Sequence, residues 1–201
     1  ADKRCEVRNI TELKGIRFLS ELSGQRRSPD VFIFAQDTEA LDVRAKRYAL
    51  DYFERHPEGS LWYCDEDFVN ESGERILPYF KQDCFPDSLL GYFIFGSFVA
   101  VNMAQAQNLV LLGADDERGC LYDLCLQMIF KRDGYGRAEH SNLVLYHTKG
   151  ISDSELAQMS MDYENAPNFW GYEEKYASIK QYALRRADVT SKAYMDFRSG
   201  V

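Results

Sequence analysis

Carboxylates make up most of the residues able to do chemistry in this chain, and they follow apolar runs. Asp65, Glu66 and Asp67 stand behind Leu61-Trp62-Tyr63, and Asp37 and Glu39 behind Val31-Phe32-Ile33-Phe34-Ala35. His147 follows Leu143-Val144-Leu145-Tyr146, and Asp123 lies inside a helical pattern. Adjacent carboxylates repel and resist burial, so they are expected to face water, a metal or a polyhydroxylated ligand. Oxygen ligands with one imidazole suit a hard divalent cation, Mg²⁺ or Mn²⁺, better than structural zinc. Asp37, Glu39 and His147 are the candidate metal ligands, and such an ion would neutralise a diphosphate leaving group as a Lewis acid. Plainer readings stand beside these. Asp65–Asp67 also suits a solvated acidic turn, Asp37-Thr38 a helix cap, Asp123 a helix-start charge, and His147 a structural histidine.

To act together these residues need a scaffold that brings them to one edge. The apolar run 31–35 has buried-strand length. The pattern predicts a following helix with Leu41, Ala45, Tyr48, Ala49 and Tyr52 on one face, stopped at His56-Pro57-Glu58-Gly59, and a strand over 60–64. That is a βαβ unit, which implies a parallel sheet. In open α/β sheets ligands bind beyond the carboxyl ends of the strands, where these acids would lie. Before this unit, residues 4–8 suit a short strand. Asn9 or Thr11 suits the cap of a helix carrying Leu13, Ile16, Leu19 and Leu22.

Past the acidic run, a Gly-containing turn leads to Pro78-Tyr79-Phe80-Lys81, a short helix from Pro86 to Leu90, and a strand-like run over 92–101 bent at Gly96-Ser97. Residues 103–112 look helical. Leu121, Leu124, Cys125, Met128 and Ile129 predict a helix, Asp133-Gly134 a turn, and 143–146 a last strand ending at His147. Residues 1–150 therefore read as one domain and 151–201 as a C-terminal helical appendage packed on the sheet.

Composition excludes several classes. The 201 residues suffice for a sizeable core, and 45% hydrophobic with 28% charged is globular usage. A net charge of −8 argues against a general nucleic-acid binder. The five cysteines form no CxxC pair, so neither zinc site nor disulfide framework follows, and reduced thiols are expected. No apolar run has membrane-helix length. A cytoplasmic protein, without a transmembrane segment, is expected. Phosphate-binding glycine loops and nucleophile elbows are missing from the sequence.

Four blocks in order across 31–150 resemble the family 2 inverting glycosyltransferases of GT-A fold, in particular the rhamnosyltransferase-like branch of bacterial polysaccharide biosynthesis. They are the strand ending at Asp37; Tyr63-Cys64-Asp65-Glu66-Asp67 with Pro78-Tyr79-Phe80-Lys81-Gln82-Asp83-Cys84-Phe85-Pro86-Asp87-Ser88-Leu89-Leu90; Tyr122-Asp123-Leu124-Cys125-Leu126-Gln127; and Leu145-Tyr146-His147. The resemblance implies a Rossmann-like, mostly parallel sheet flanked by helices. It implies transfer from a UDP- or dTDP-linked sugar to a glycan hydroxyl, at or near the inner face of the membrane. It matches Asp37 to the second acid of a metal motif, His147 to a histidine that reaches the metal, and Asp123 to the position supplying the base. Asp65, Glu66, Asp67 and Lys81 would line the donor–acceptor cleft. The departures are Ala35 where an acid or Asn is usual, Leu121 where an Asp is frequent, and Gln127 in place of Arg. The opening strands of such a domain also have no counterpart before residue 31, which implies a partial GT-A domain. The alternative reading is a degenerate, non-catalytic domain used for assembly or glycan binding. A third is an unrelated acidic interaction domain.

Overall fold

A computed structural model describes residues 4–23, 29–91, 93–106, 109, 111, 117–131 and 134–151. The expected C-terminal appendage, 151–201, lies almost wholly outside the described residues.

β-Branched and aromatic runs form the sheet. Its strands are β1 (Cys5–Asn9), β2 (Val31–Ala35), β3 (Gly59–Asn70), β4 (Arg75–Tyr79) and β5 (Phe98–Asn102), with the 15-residue β8 (Arg137–Ile151). Two-residue β6 (Phe130–Lys131) and β7 (Gly134–Tyr135) make a separate antiparallel pair; of the expected Asp133-Gly134 turn, Gly134 lies in β7 and Asp133 lies outside the described residues. β1 and β2 pair in parallel, as do β3 and β8, whereas β5 runs antiparallel to both β2 and β3, and β4 antiparallel to β3. The fold is thus α/β with a mixed open sheet flanked by helices, not the mostly parallel sheet expected. Nevertheless β1, β2, β3 and β8 all point the same way, so their carboxyl ends share one edge.

Two helices and a short turn of helix cover the faces. α1 (Ala45–Arg55) buries Ala45, Ala49, Leu50, Tyr52 and Phe53, a helical stripe against Val31, Ile33, Trp62, Cys64 and Ala100. It starts after Leu41, later than predicted, and His56 N–H closes it on the Tyr52 carbonyl. α2 (Pro86–Gly91) has the predicted start. α3 (Glu117–Ile129) packs the opposite face with Phe32, Phe34, Leu61, Tyr63 and Val101. From Cys120 to Ile129 every residue of α3 except Gln127 is buried, so one apolar stripe understates its surroundings. The helix expected over 11–22 is instead two 3-10 turns, Ile10–Leu13 and Leu19–Ser23. Asn9, one of the two cap candidates, caps the first with a reciprocal Glu12 bond, and Gly15 at φ 82° breaks the run.

β3 extends well past the predicted 60–64, so the three carboxylates lie inside a strand rather than beyond its end. β8 lines one edge of β3 throughout. The other edge is shared: β5 pairs at Leu61 and Trp62, and β4 pairs from Glu66 to Val69. Between them the sheet splits, because the chain before β5 leaves in a turn with Gly96 at φ 70°.

Candidate functional site

Burial of Asp65, Glu66 and Asp67, each 3% exposed or less, overturns the expectation that they face solvent. Strand alternation and local bulges send them to three different partners. Asp65 Oδ1 accepts from His140 Nε2 at 2.7 Å and from the Lys81 backbone N–H at 2.8 Å. Glu66 Oε2 accepts from the Ser97 N–H at 3.0 Å and lies 3.2 Å from Lys81 Nζ. Asp67 Oδ1 meets His147 Nδ1 at 2.6 Å while its Oδ2 accepts from Arg75 Nε at 2.5 Å. A buried charge is tolerated when paired and hydrogen-bonded, and here each is.

The split in the sheet explains why Asp65, Glu66 and Lys81 sit together. Where β5 and β4 part, backbone groups lack ladder partners, and side chains replace them. Lys81 Nζ donates to the Phe95 carbonyl at 2.8 Å and stands 5.3 Å from the Phe98 ring. Gly96 is required at this point: a Cβ there would come within 2.7 Å of Glu66 Oε1 and Lys81 Cε. Tyr63 joins the same region, its hydroxyl donating to the Gln82 carbonyl and its ring stacked on His140. Burial pushes the Cys64 thiol up to about 12. These residues tie Lys81-Gln82-Asp83 onto β3.

A second cluster occupies the common carboxyl edge. The loop after β2 returns along β8: Asp37 N–H donates to the Tyr146 hydroxyl at 2.9 Å, His147 N–H to the Ala40 carbonyl at 2.8 Å, and Asp42 N–H to the Leu145 carbonyl at 2.9 Å. Asp37 does not cap α1; its Oδ1 accepts from Glu39 N–H and turns the loop. His147 lies within β8 rather than at its end, with Nδ1 on Asp67 and Nε2 3.7 Å from Asp42 Oδ2. Asp42 also accepts from Arg44 Nε and its second guanidinium nitrogen, and these bonds hold its carboxyl well below the usual range. Asp37 and Glu39 are exposed. Among the described residues no three His, Cys, Asp or Glu side chains form a group able to hold a metal.

Asp123 is 2% exposed in α3, and its Oδ2 accepts from Gln127 Nε2 one turn on at 3.1 Å. Leu121 beside it is equally buried. A cleft of about 480 Å³ opens beside the carboxyl ends of β1 and β2, lined by polar Asn9, Glu12, Thr38, Asp42 and Lys46 and by apolar Val7, Leu41 and Val43. A larger cavity of about 650 Å³ lies at the opposite end, among Phe18, Val31, Leu50, Phe53 and Met103. Neither is lined by a site residue singled out in the sequence, and the cleft is the better place for chemistry because Asp42 in its wall faces His147 and because of the carboxyl-edge rule.

The sequence reading missed Asp42, Arg75, His140 and Ser97. Asp42-x-Arg44 carried a local signal, since a short side chain two residues before Arg can accept from its backbone. His140 carried none, because the apolar run 143–146 marks only the middle of β8. Among the described residues no helix is long and apolar enough to cross a membrane. In comparisons with known proteins, no family model matches the chain and no curated protein matches it.

Proposed function

We propose that this chain is a GT-A glycosyltransferase domain that moves a sugar from a UDP- or dTDP-linked donor to a glycan hydroxyl, with inversion, in building a bacterial surface polysaccharide. The observation that carries the reading is the edge cluster. Residues from three of the four resembling blocks, the loop bearing Asp37, Asp67 of the acidic run, and His147, meet beside the cleft at the carboxyl edge. Lys46, in the wall of the cleft, suits a diphosphate. His147 Nε2 and Asp42 would hold a divalent ion jointly with phosphate oxygens; when bound, the ion supplies charge neutralisation to the leaving diphosphate. The acceptor hydroxyl attacks the anomeric carbon as the bond to the diphosphate oxygen breaks, and a carboxylate takes the hydroxyl proton. Asp123 is the proposed base, which requires that an acceptor reach its buried carboxyl.

A second reading, a non-catalytic glycan-binding or assembly module, is favoured by the burial of Leu121 and the hydrogen bond that occupies Asp123. The two separate on a melting experiment with the full chain, Mn²⁺ and UDP or dTDP. Ligand at about 100 times Kd stabilises by about 2.7 kcal/mol, several degrees in Tm. The enzyme reading expects that shift, abolished by EDTA. An unchanged Tm with both nucleotides sinks it.

A further inference from the structure

We propose that Asp67 is the positioning residue of the edge cluster, fixing His147 as the Nδ1–H tautomer so that the Nε2 lone pair faces Asp42. The Arg75 guanidinium, always protonated, donates Nε–H to Asp67 Oδ2, and a carboxylate in such an ion pair only accepts. The imidazole nitrogen 2.6 Å from Oδ1 must then be the donor. Asp67 is 4% exposed at its side chain and cannot turn to water, so the orientation is held from both oxygens. Nε2 is left opposite the Asp42 carboxylate at 3.7 Å. A lone pair facing a carboxylate makes a seat for a cation, the pattern by which outer carboxylates orient metal-bound histidines. The cation belongs to the proposed function and rests on it; the tautomer does not. His140 supplies a contrast in the same strand, since it donates through Nε2 to Asp65 and so takes the opposite tautomer when neutral.

The test is a long-range proton–nitrogen correlation spectrum of the full chain labelled with ¹⁵N-histidine, about two pH units above the ordinary imidazole value of about 6.5. His147→Gln assigns the resonances. We expect His147 with a pyrrole-type Nδ1 and a pyridine-type Nε2, and His140 reversed. In Asp67→Asn the amide oxygen stays with Arg75, its NH₂ faces Nδ1, and the His147 pattern inverts, a change that mere loss of stability would not produce. A pyridine-type Nδ1 in the wild type, or an unchanged pattern in Asp67→Asn, overturns the proposal. If Asp67→Asn does not fold, the wild-type spectrum decides alone. Adding Mn²⁺ with UDP separates the two inferences. Broadening at His147 supports both, whereas the expected tautomer without broadening upholds the positioning role and removes the metal.

Discussion

A lysine ammonium out of contact with water is costly unless its charge is answered, and Lys81 is answered by Glu66, the Phe95 carbonyl and the Phe98 ring. Lys81→Met leaves Glu66 buried without its counter-charge, which costs about 3–5 kcal/mol. Adding Glu66→Gln removes the stranded charge and restores much of that loss. Urea denaturation of the two single variants and the double variant measures the coupling; additive losses would contradict it. Asp42 behaves differently because its partner is exposed. Hydrogen bonds from Arg44 lower its carboxyl below the ordinary 3.8, so the folded state favours the charged form. Its contribution is complete above 3.8 and is lost as pH falls below that value. Asp42→Asn should therefore lower Tm at neutral pH and flatten the decline of Tm between about pH 4 and about pH 2. Parallel acid limbs in wild type and variant would count against it.

At the scale of elements, the residue between β7 and β8 lies close against the C-terminal end of α3. Gly136 N–H donates to the Ile129 carbonyl at 2.6 Å, and a Cβ on Gly136 would fall 1.8 Å from the Met128 carbonyl oxygen. Backbone cannot swing aside as a side chain can, so Gly136→Ala should cost about 1–3 kcal/mol or more, read as a lower urea midpoint. A midpoint equal to wild type would show that the junction yields. The elements were legible in proportion to how local their causes are. α1, α2 and α3, the five-residue β2 and the Asn9 cap follow from periodicity and capping residues close in sequence. The full lengths of β3 and β8 do not, because each carries a polar stretch, 65–67 in β3 and 139–142 in β8, that pairing across a long sequence separation holds in the sheet. The same reason hid the site. Asp65 and Asp67 look solvated until His140 and His147, 75 and 80 positions away, are seen beside them. The sequence left open whether the stretches bearing Asp37 and His147 are neighbours, which they are through the Asp37–Tyr146 and His147–Ala40 bonds. It could not show that Asp42 would face Nε2.

Across the whole molecule, four strands point one way and an antiparallel β5 is set between them, so a single edge collects the ends of β1, β2, β3 and β8. The cleft with Asp42 and Lys46 lies on that edge, and the larger cavity lies at the other end of the strands. The parallel pairing of β3 with β8 also sets an order of events in folding. Parallel neighbours require a long crossover, and loop closure must be met before any contact rewards it. Until β8 arrives, Asp65 and Asp67 have no imidazole to meet, and the strand that carries them has every reason to stay wet. A chain still emerging from synthesis at residue 136 would hold β1 to β5 with a bare, acid-laden edge. Its charges would then guard that edge against pairing with other chains, and the strand that brings the two histidines would convert a protected edge into an interior strand of the sheet.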